Sequence, residues 1–240
     1  ATAEVTTDLV CDATGAAGPN AIITVTIAAG TGTADFTYAV KRGTGAFSSD
    51  APISPAGSRT FTYPVAAGDA DTYVFLIKDA NGCPVETTPV IVDPLVAIVA
   101  DATPTEPLCF GGEGTMLLSA KGGKGKYEYT LIRTLPAGGT LQTQSTPLFT
   151  NLIAGDYTYT VKDELGCIVT GTKTLGQPTE LILDTPSIDQ PECGPNNDPQ
   201  QAKVVLAAHG GTGSYEYSFN NSDFSADTDT FYVDQNGASQ

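Results

Sequence analysis

The chain has 240 residues, carries a formal net charge of −16 and holds 26 glycines, 16 prolines, one methionine and no tryptophan. An acidic balance of this size excludes nucleic acid as a partner, because neutralising phosphates needs clustered Lys and Arg. The longest apolar stretch, Pro94 to Ala100, is far below the roughly 20 residues that cross a bilayer. With 40% apolar residues the chain is globular, and it is expected to be a mature or internal segment with any secretion signal or anchor elsewhere.

Runs of Thr, Val, Ile, Tyr and Phe favour strands, and no apolar pattern is sustained at helical spacing. In chain order, LVC at Cys11 opens the first unit. An apolar strand follows and ends in the Gly-rich turn AAGTG around Gly30. Next comes DFTYAV, whose Phe36 and Tyr38 are two apart and so share a strand face. After a polar insertion, Gly43 to Arg59, the segment AGDADTYVFLIKDANGC runs to Cys83, with Tyr73, Phe75 and Ile77 on one face. The turn Asp79 to Gly82 and the returning VETTPVIVDP form a glycine-bearing hairpin, and Pro94 marks a linker.

The second unit repeats the scheme. PLC at Cys109 opens it, the turn around Gly123 leads to Tyr127 and Tyr129, and an insertion spans Thr134 to Pro147. AGDYTYTVKDELGC then ends at Cys167, with Tyr157, Tyr159 and Val161 on one face, and IVTGTKTLGQP returns to Pro178. The third unit opens with PEC at Cys193 and carries a turn at Gly211 with Tyr215 and Tyr217. Its SFNNSDFSADTDTFYV matches the middle of unit one, where Phe47 and Phe61 bracket a similar polar loop, so the unit stops before a closing hairpin. A rival register sets VDQNGA against IKDANGC and puts Ala238 in the cysteine position. Fixed-period self-similarity of this kind gives three units, 1–94, 95–178 and 179–240, the third cut short.

Each complete unit thus has an opening and a closing cysteine. Bridges within units, Cys11–Cys83 and Cys109–Cys167, are the simplest reading, with Cys193 unpaired, although four cysteines permit three pairings. Each bridge would contribute on the order of 4 kcal/mol in the chain-entropy view, and oxidising surroundings follow. Zinc is the competing reading, but the chain has no CxxC pair and a single histidine.

Unit two, CFGGEGTMLLSAKGGKGKYEYTL followed by NLIAGDYTYTVKDELGCIVTGTKTLGQPTEL, resembles the SprB-type repeat of large cell-surface gliding adhesins of Bacteroidetes. Unit one shares the glycine turn and closing hairpin but has CDATG in place of CFGG and a longer central loop; unit three keeps GGTGSYEYSF. The resemblance implies an extracellular β-sandwich module, export by the type IX route and display on the outer membrane of a Gram-negative cell. There the full-length protein would engage the outer-membrane motility machinery and grip a substratum or surface polysaccharide. The family supplies no catalytic residues.

The other candidate chemistry is thin. His209 matches Lys121 and Ala28 between units and reads as a surface residue at a strand end; no Ser-His-Asp set or GxSxG accompanies it. GGKGK lacks the P-loop pattern and its helix. Asp79 and Asp163 read as turn caps. Asn196, Asn197 and Asp198, and Asp223, Asp227 and Asp229, supply oxygens of the kind calcium takes, without an EF-hand loop, so no cofactor is assigned beyond a weak calcium signal. The tyrosine pairs read as core rather than as a sugar platform, and the two insertions are the better candidates for partner contact. The expected fold is all-β: tandem immunoglobulin-like antiparallel sandwiches of about seven strands, end to end. The expected function is that of an adhesin's spacer and adhesion repeat, not an enzyme. A carbohydrate-binding module or an accessory domain of a secreted hydrolase is the alternative.

Overall fold

The computed structural model describes residues 1–195, 198, 200–226 and 229–233. Strands β1 (Thr2–Thr7), β2 (Ala21–Thr26) and β5 (Thr60–Val65) form one antiparallel sheet in the order β1-β2-β5. The facing sheet holds β3 (Thr37–Arg42), β4 (Ala51–Pro52), β6 (Thr72–Lys78) and β7 (Pro84–Glu86), ordered β4-β3-β6-β7, with β8 (Val90–Ile91) also on β6. A 3-10 turn, Ala67–Asp69, precedes β6. Along β2 buried and half-buried residues alternate, as a strand with one face on a core requires. Ile23, Val25, Phe61, Phe75 and Ile77 close the space between the sheets.

The second group repeats this arrangement. β9 (Val99–Thr105), β10 (Gly114–Lys121) and β13 (Leu148–Leu152) make one sheet. β11 (Glu128–Leu135), β12 (Gln142–Gln144), β14 (Gly155–Lys162) and β15 (Ile168–Leu175) make the other, ordered β12-β11-β14-β15. Met116, Leu118, Leu131, Phe149 and Val161 fill its core. Both groups therefore follow one topology, A-B-E facing C′-C-F-G, the order of an immunoglobulin-like sandwich. Each has a tyrosine at the start of strand F whose hydroxyl donates to a backbone carbonyl four residues earlier, Tyr73 to Asp69 and Tyr157 to Ile153. That contact is the tyrosine corner of such sandwiches, here placed at the E–F connection. Burial pushes both phenols above their ordinary titration range. The two insertions supply the short C′ strands β4 and β12, and Ile53 from the first is buried in the core.

The third group contains β16 (Thr179–Leu183), β17 (Ser187–Asp189), β18 (Ala202–Val205), β19 (Ala208–Gly211) and β20 (Thr230–Val233). β16 pairs with β19, and β17 with β18, so strands A and B are each interrupted by a break. Phe231 on β20 lies opposite Val204, as Phe61 lies opposite Val25 and Phe149 opposite Met116. This register makes β20 strand E. Val233 pairs with Ala202 of strand B, whereas the rival register would put it in strand F against strand C. Ala238 itself lies outside the described residues. Among those residues the third group has no strand F or G, and its core is correspondingly small, with only Val204, Leu206 and Phe231 buried.

Candidate functional site: the joint between sandwiches

The pairing of cysteines within units is overturned. Cys11 is bonded to Cys167, with Cα atoms 4.8 Å apart and a sequence separation of 156, while Cys83, Cys109 and Cys193 are free and exposed. The reason is directional. Cys11 follows strand A and stands at the pole where β2 begins, beside the bridge Cys11–Ala17. Cys83 stands at the pole where β2 ends, in a turn that contacts Thr33 and lines a pocket with Ala1 and Ile27. A strand of 6 residues separates them, about 20 Å at the usual strand rise, whereas a disulfide needs Cα atoms within about 7 Å. Cys109 and Cys167 are likewise parted by the 8 residues of β10. In an antiparallel sandwich the A–B loop and the F–G turn lie at opposite poles. The opening cysteine of one unit therefore faces the closing cysteine of the next.

The half of the joint in the first sandwich is a loop tied by Asp12. Its carboxylate accepts from the Thr14 amide at 2.8 Å, the Thr14 hydroxyl at 2.6 Å and the Ala16 amide at 3.2 Å. The Thr14 hydroxyl, then the Thr14 amide, hold the Asp12 carboxyl below its ordinary range. The Asp12 amide donates to Ala16 O and the Gly18 amide to Val10 O. Gly15, at φ +82°, lets the loop sit on the second sandwich: a Cβ there would be 2.9 Å from Cβ of Ile168.

The second half is the F–G turn around Asp163, which is 5% exposed. The Asp163 carboxylate accepts from the amides of Leu165 at 3.0 Å, Cys167 at 2.9 Å and Lys124 at 2.9 Å. The two halves meet where the Cys11 amide donates to Leu165 O at 2.8 Å. Cys11 and Leu95 pack against the second core, Leu95 touching the first core as well, and Lys124 Nζ lies 3.8 Å from Asp93. That last pair is exposed and contributes little. The covalent bond, one backbone hydrogen bond and a shared apolar plug hold the joint.

The turn around Asp79 in the first sandwich has the same geometry. Its carboxylate accepts from the amides of Asn81 at 3.0 Å, Cys83 at 2.9 Å and Thr33 at 3.1 Å. Both aspartates are thus turn caps, their oxygens spent on backbone N–H groups. The Cys83 and Thr33 amides lower the Asp79 pKa from 3.8. A depressed carboxyl stabilises the fold above its unfolded pKa, and that contribution is lost as pH falls through the folded value. Amide exchange at Thr33, Asn81 and Cys83 is therefore expected to stay slow at neutral pH and to lose protection below the model-compound value. Unchanged protection across that range would contradict the capping role.

Other sequence-level candidates are dispersed. His209 is on β19, exposed, with Nδ1 2.8 Å from Asp184. Asn196, Asn197 and Asp227 lie outside the described residues, and among those described no three His, Cys, Asp or Glu side chains gather as a metal site. Tyr129 is buried in the second core, and the hydroxyls of Tyr127 and Tyr215 donate to Gly122 O and Gly210 O in the adjoining glycine turns. Asp12, Gly15, Leu95 and Ile168 were not evident as joint residues from the repeats. The parity of the strands, which fixes the pole of each turn, is the signal that finds them.

The molecule is a tandem of immunoglobulin-like sandwiches joined pole to pole. No protein-family model matches the sequence, and no curated protein matches it. Similar solved structures include the titin I-band fragment I67–I69, 11% identical, covering 93% of this chain and 83% of that one with TM-score 0.42. Drosophila OTK extracellular domains 3–5 are 12% identical, with 87% and 76% covered and TM-score 0.29. Chicken CNTN1 FN1–FN3 domains are 15% identical, with 92% and 83% covered and TM-score 0.29.

Proposed function

We propose that the chain is a stalk segment of a secreted cell-surface adhesin, spacing and bearing load between a cell and the substratum it grips during gliding. The observation that carries this reading is the covalent joint. A bridge between neighbouring sandwiches, rather than within them, resists separation and bending of the units. A disulfide of this kind also suits an oxidising extracellular setting. The net charge of −16 favours solubility at a crowded surface, and the resemblance of unit two to gliding-adhesin repeats points the same way. The carbohydrate-binding alternative finds less support, since the paired tyrosines serve the cores and glycine turns. In the source cell, antibody raised against the 240-residue chain is expected to label intact cells and to reduce their attachment to glass. Label confined to permeabilised cells would contradict the proposal.

A further inference from the structure

We propose that Cys83 and Cys193 are the two complementary halves of a second pole-to-pole bridge, through which this chain is joined covalently to a further sandwich of its own architecture. The observed Cys11–Cys167 joint is the template, and each free half reproduces one side of it. The Cys193 loop repeats two backbone hydrogen bonds of the Cys11 loop, although Gly194 stands where Asp12 does. The amide after the cysteine donates four residues on, Gly194 to Asp198 O at 2.8 Å as Asp12 to Ala16 O at 2.8 Å. The amide seven residues after the cysteine returns to the residue before it, Gln200 to Glu192 O at 3.0 Å as Gly18 to Val10 O at 2.9 Å. The Cys83 turn repeats the Cys167 turn in the same way, from Asp79 N to Cys83 O at 3.2 Å against Asp163 N to Cys167 O at 3.1 Å.

The surroundings differ as an open and a filled joint should. At the second sandwich the pole around Cys167 is plugged by Cys11 and Leu95, and Cys167 is 7% exposed. At the first sandwich the equivalent pole is an open pocket lined by Ala1, Ile27, Phe36, Ile77 and Cys83, and Cys83 is exposed. An A–B loop with its cysteine is the occupant that the same architecture seats at this place. Cys109 is not equivalent to Cys193, because its pole already meets the third group: the Thr212 hydroxyl lies 3.4 Å from Leu108 O.

Bond formation joins Sγ of Cys193 to Sγ of Cys83. The two thiols lose two protons and two electrons to a low-molecular-weight disulfide, which is cleaved to two thiols by exchange. The partner is a second copy of the chain, and the test separates it from a link confined to adjoining units of one polypeptide. The 240-residue chain is equilibrated in a glutathione redox buffer at high concentration, and a tandem fusion of two such chains is equilibrated at high dilution. The free chain is expected to form a non-reducing ladder whose linking peptide is Cys83–Cys193, lost in C83S and in C193S and retained in C109S. In the tandem the same link is expected within one molecule, its effective concentration raised by tethering. A link in both supports the joint between separate copies; a link in the tandem only overturns it and assigns the joint to neighbours in one polypeptide. The inference is overturned if links are a random mixture of like and unlike cysteines, if Cys109 replaces Cys193, or if Cys83 and Cys193 carry only glutathione in both samples. The Cys11–Cys167 peptide, recovered from each variant, shows that the sandwiches remain folded and docked.

Discussion

Pulled from its two ends in an oxidising buffer, the chain is expected to keep the strands between Cys11 and Cys167 folded, load on the first two sandwiches falling only on β1 and β15, which lie outside the bridge. The bridge connects residues separated by 156 positions, so force passes from Cys11 to Cys167 through the disulfide and bypasses every strand from β2 to β14. Adding a reductant should release that hidden length, about 560 Å at roughly 3.6 Å per residue, less the length of the folded sandwiches. Bridges confined to single units would leave the strands and linker between Cys83 and Cys109 under load, and would extend without reductant. Force spectroscopy with and without dithiothreitol distinguishes the two directly. In solution the bridge also closes the chain between the first sandwich and strand G of the second. Chain-entropy reasoning gives that closure about 5 kcal/mol.

The Asp163→Ala variant is expected to destabilise the second sandwich by about 3 kcal/mol, the cost of leaving one buried and two part-buried amides without a charged acceptor. The side chain is buried because the first sandwich covers its pole, and its oxygens take the amides of Lys124, Leu165 and Cys167. Asp79→Ala removes the same set of bonds from a turn at an uncovered pole, where water replaces the lost acceptor, and its effect should be much smaller. Urea denaturation of the two variants, monitored by near-ultraviolet circular dichroism, checks the difference. Equal losses would mean that docking does not shield the turn.

Much of this architecture is legible in the residues themselves. Aromatics spaced by two, glycine turns and the repeated KDxxGC hairpin mark strands B, C, F and G, and strand F of each complete unit buries the faces expected for Tyr73, Phe75 and Ile77 or Tyr157, Tyr159 and Val161. The pairing of β20 with strand B is also recoverable, through the likeness of Phe231 to Phe61. The insertions were harder to read, because β4 and β12 are 2 and 3 residues long and lack any periodic pattern.

Pairing within a unit fails for a definite reason. Cys11 and Cys83 open and close one unit in sequence, yet the antiparallel path of strands A to F delivers them to opposite poles. Proximity along the chain says nothing about pole. The residues of the joint, Gly15 against Ile168 and Leu95 between the two cores, belong to a surface that exists only once two units are stacked. A single repeat read in isolation therefore carries no periodic trace of them.

Peptide mapping of the oxidised chain, alkylated before digestion and run without reductant, tests the pole-to-pole joint most directly. A cross-linked peptide pair containing Cys11 and Cys167, with Cys109 alkylated and Cys83 and Cys193 either alkylated or linked to each other, is the predicted result. Recovery of Cys11 linked to Cys83, or of Cys109 linked to Cys167, would contradict it.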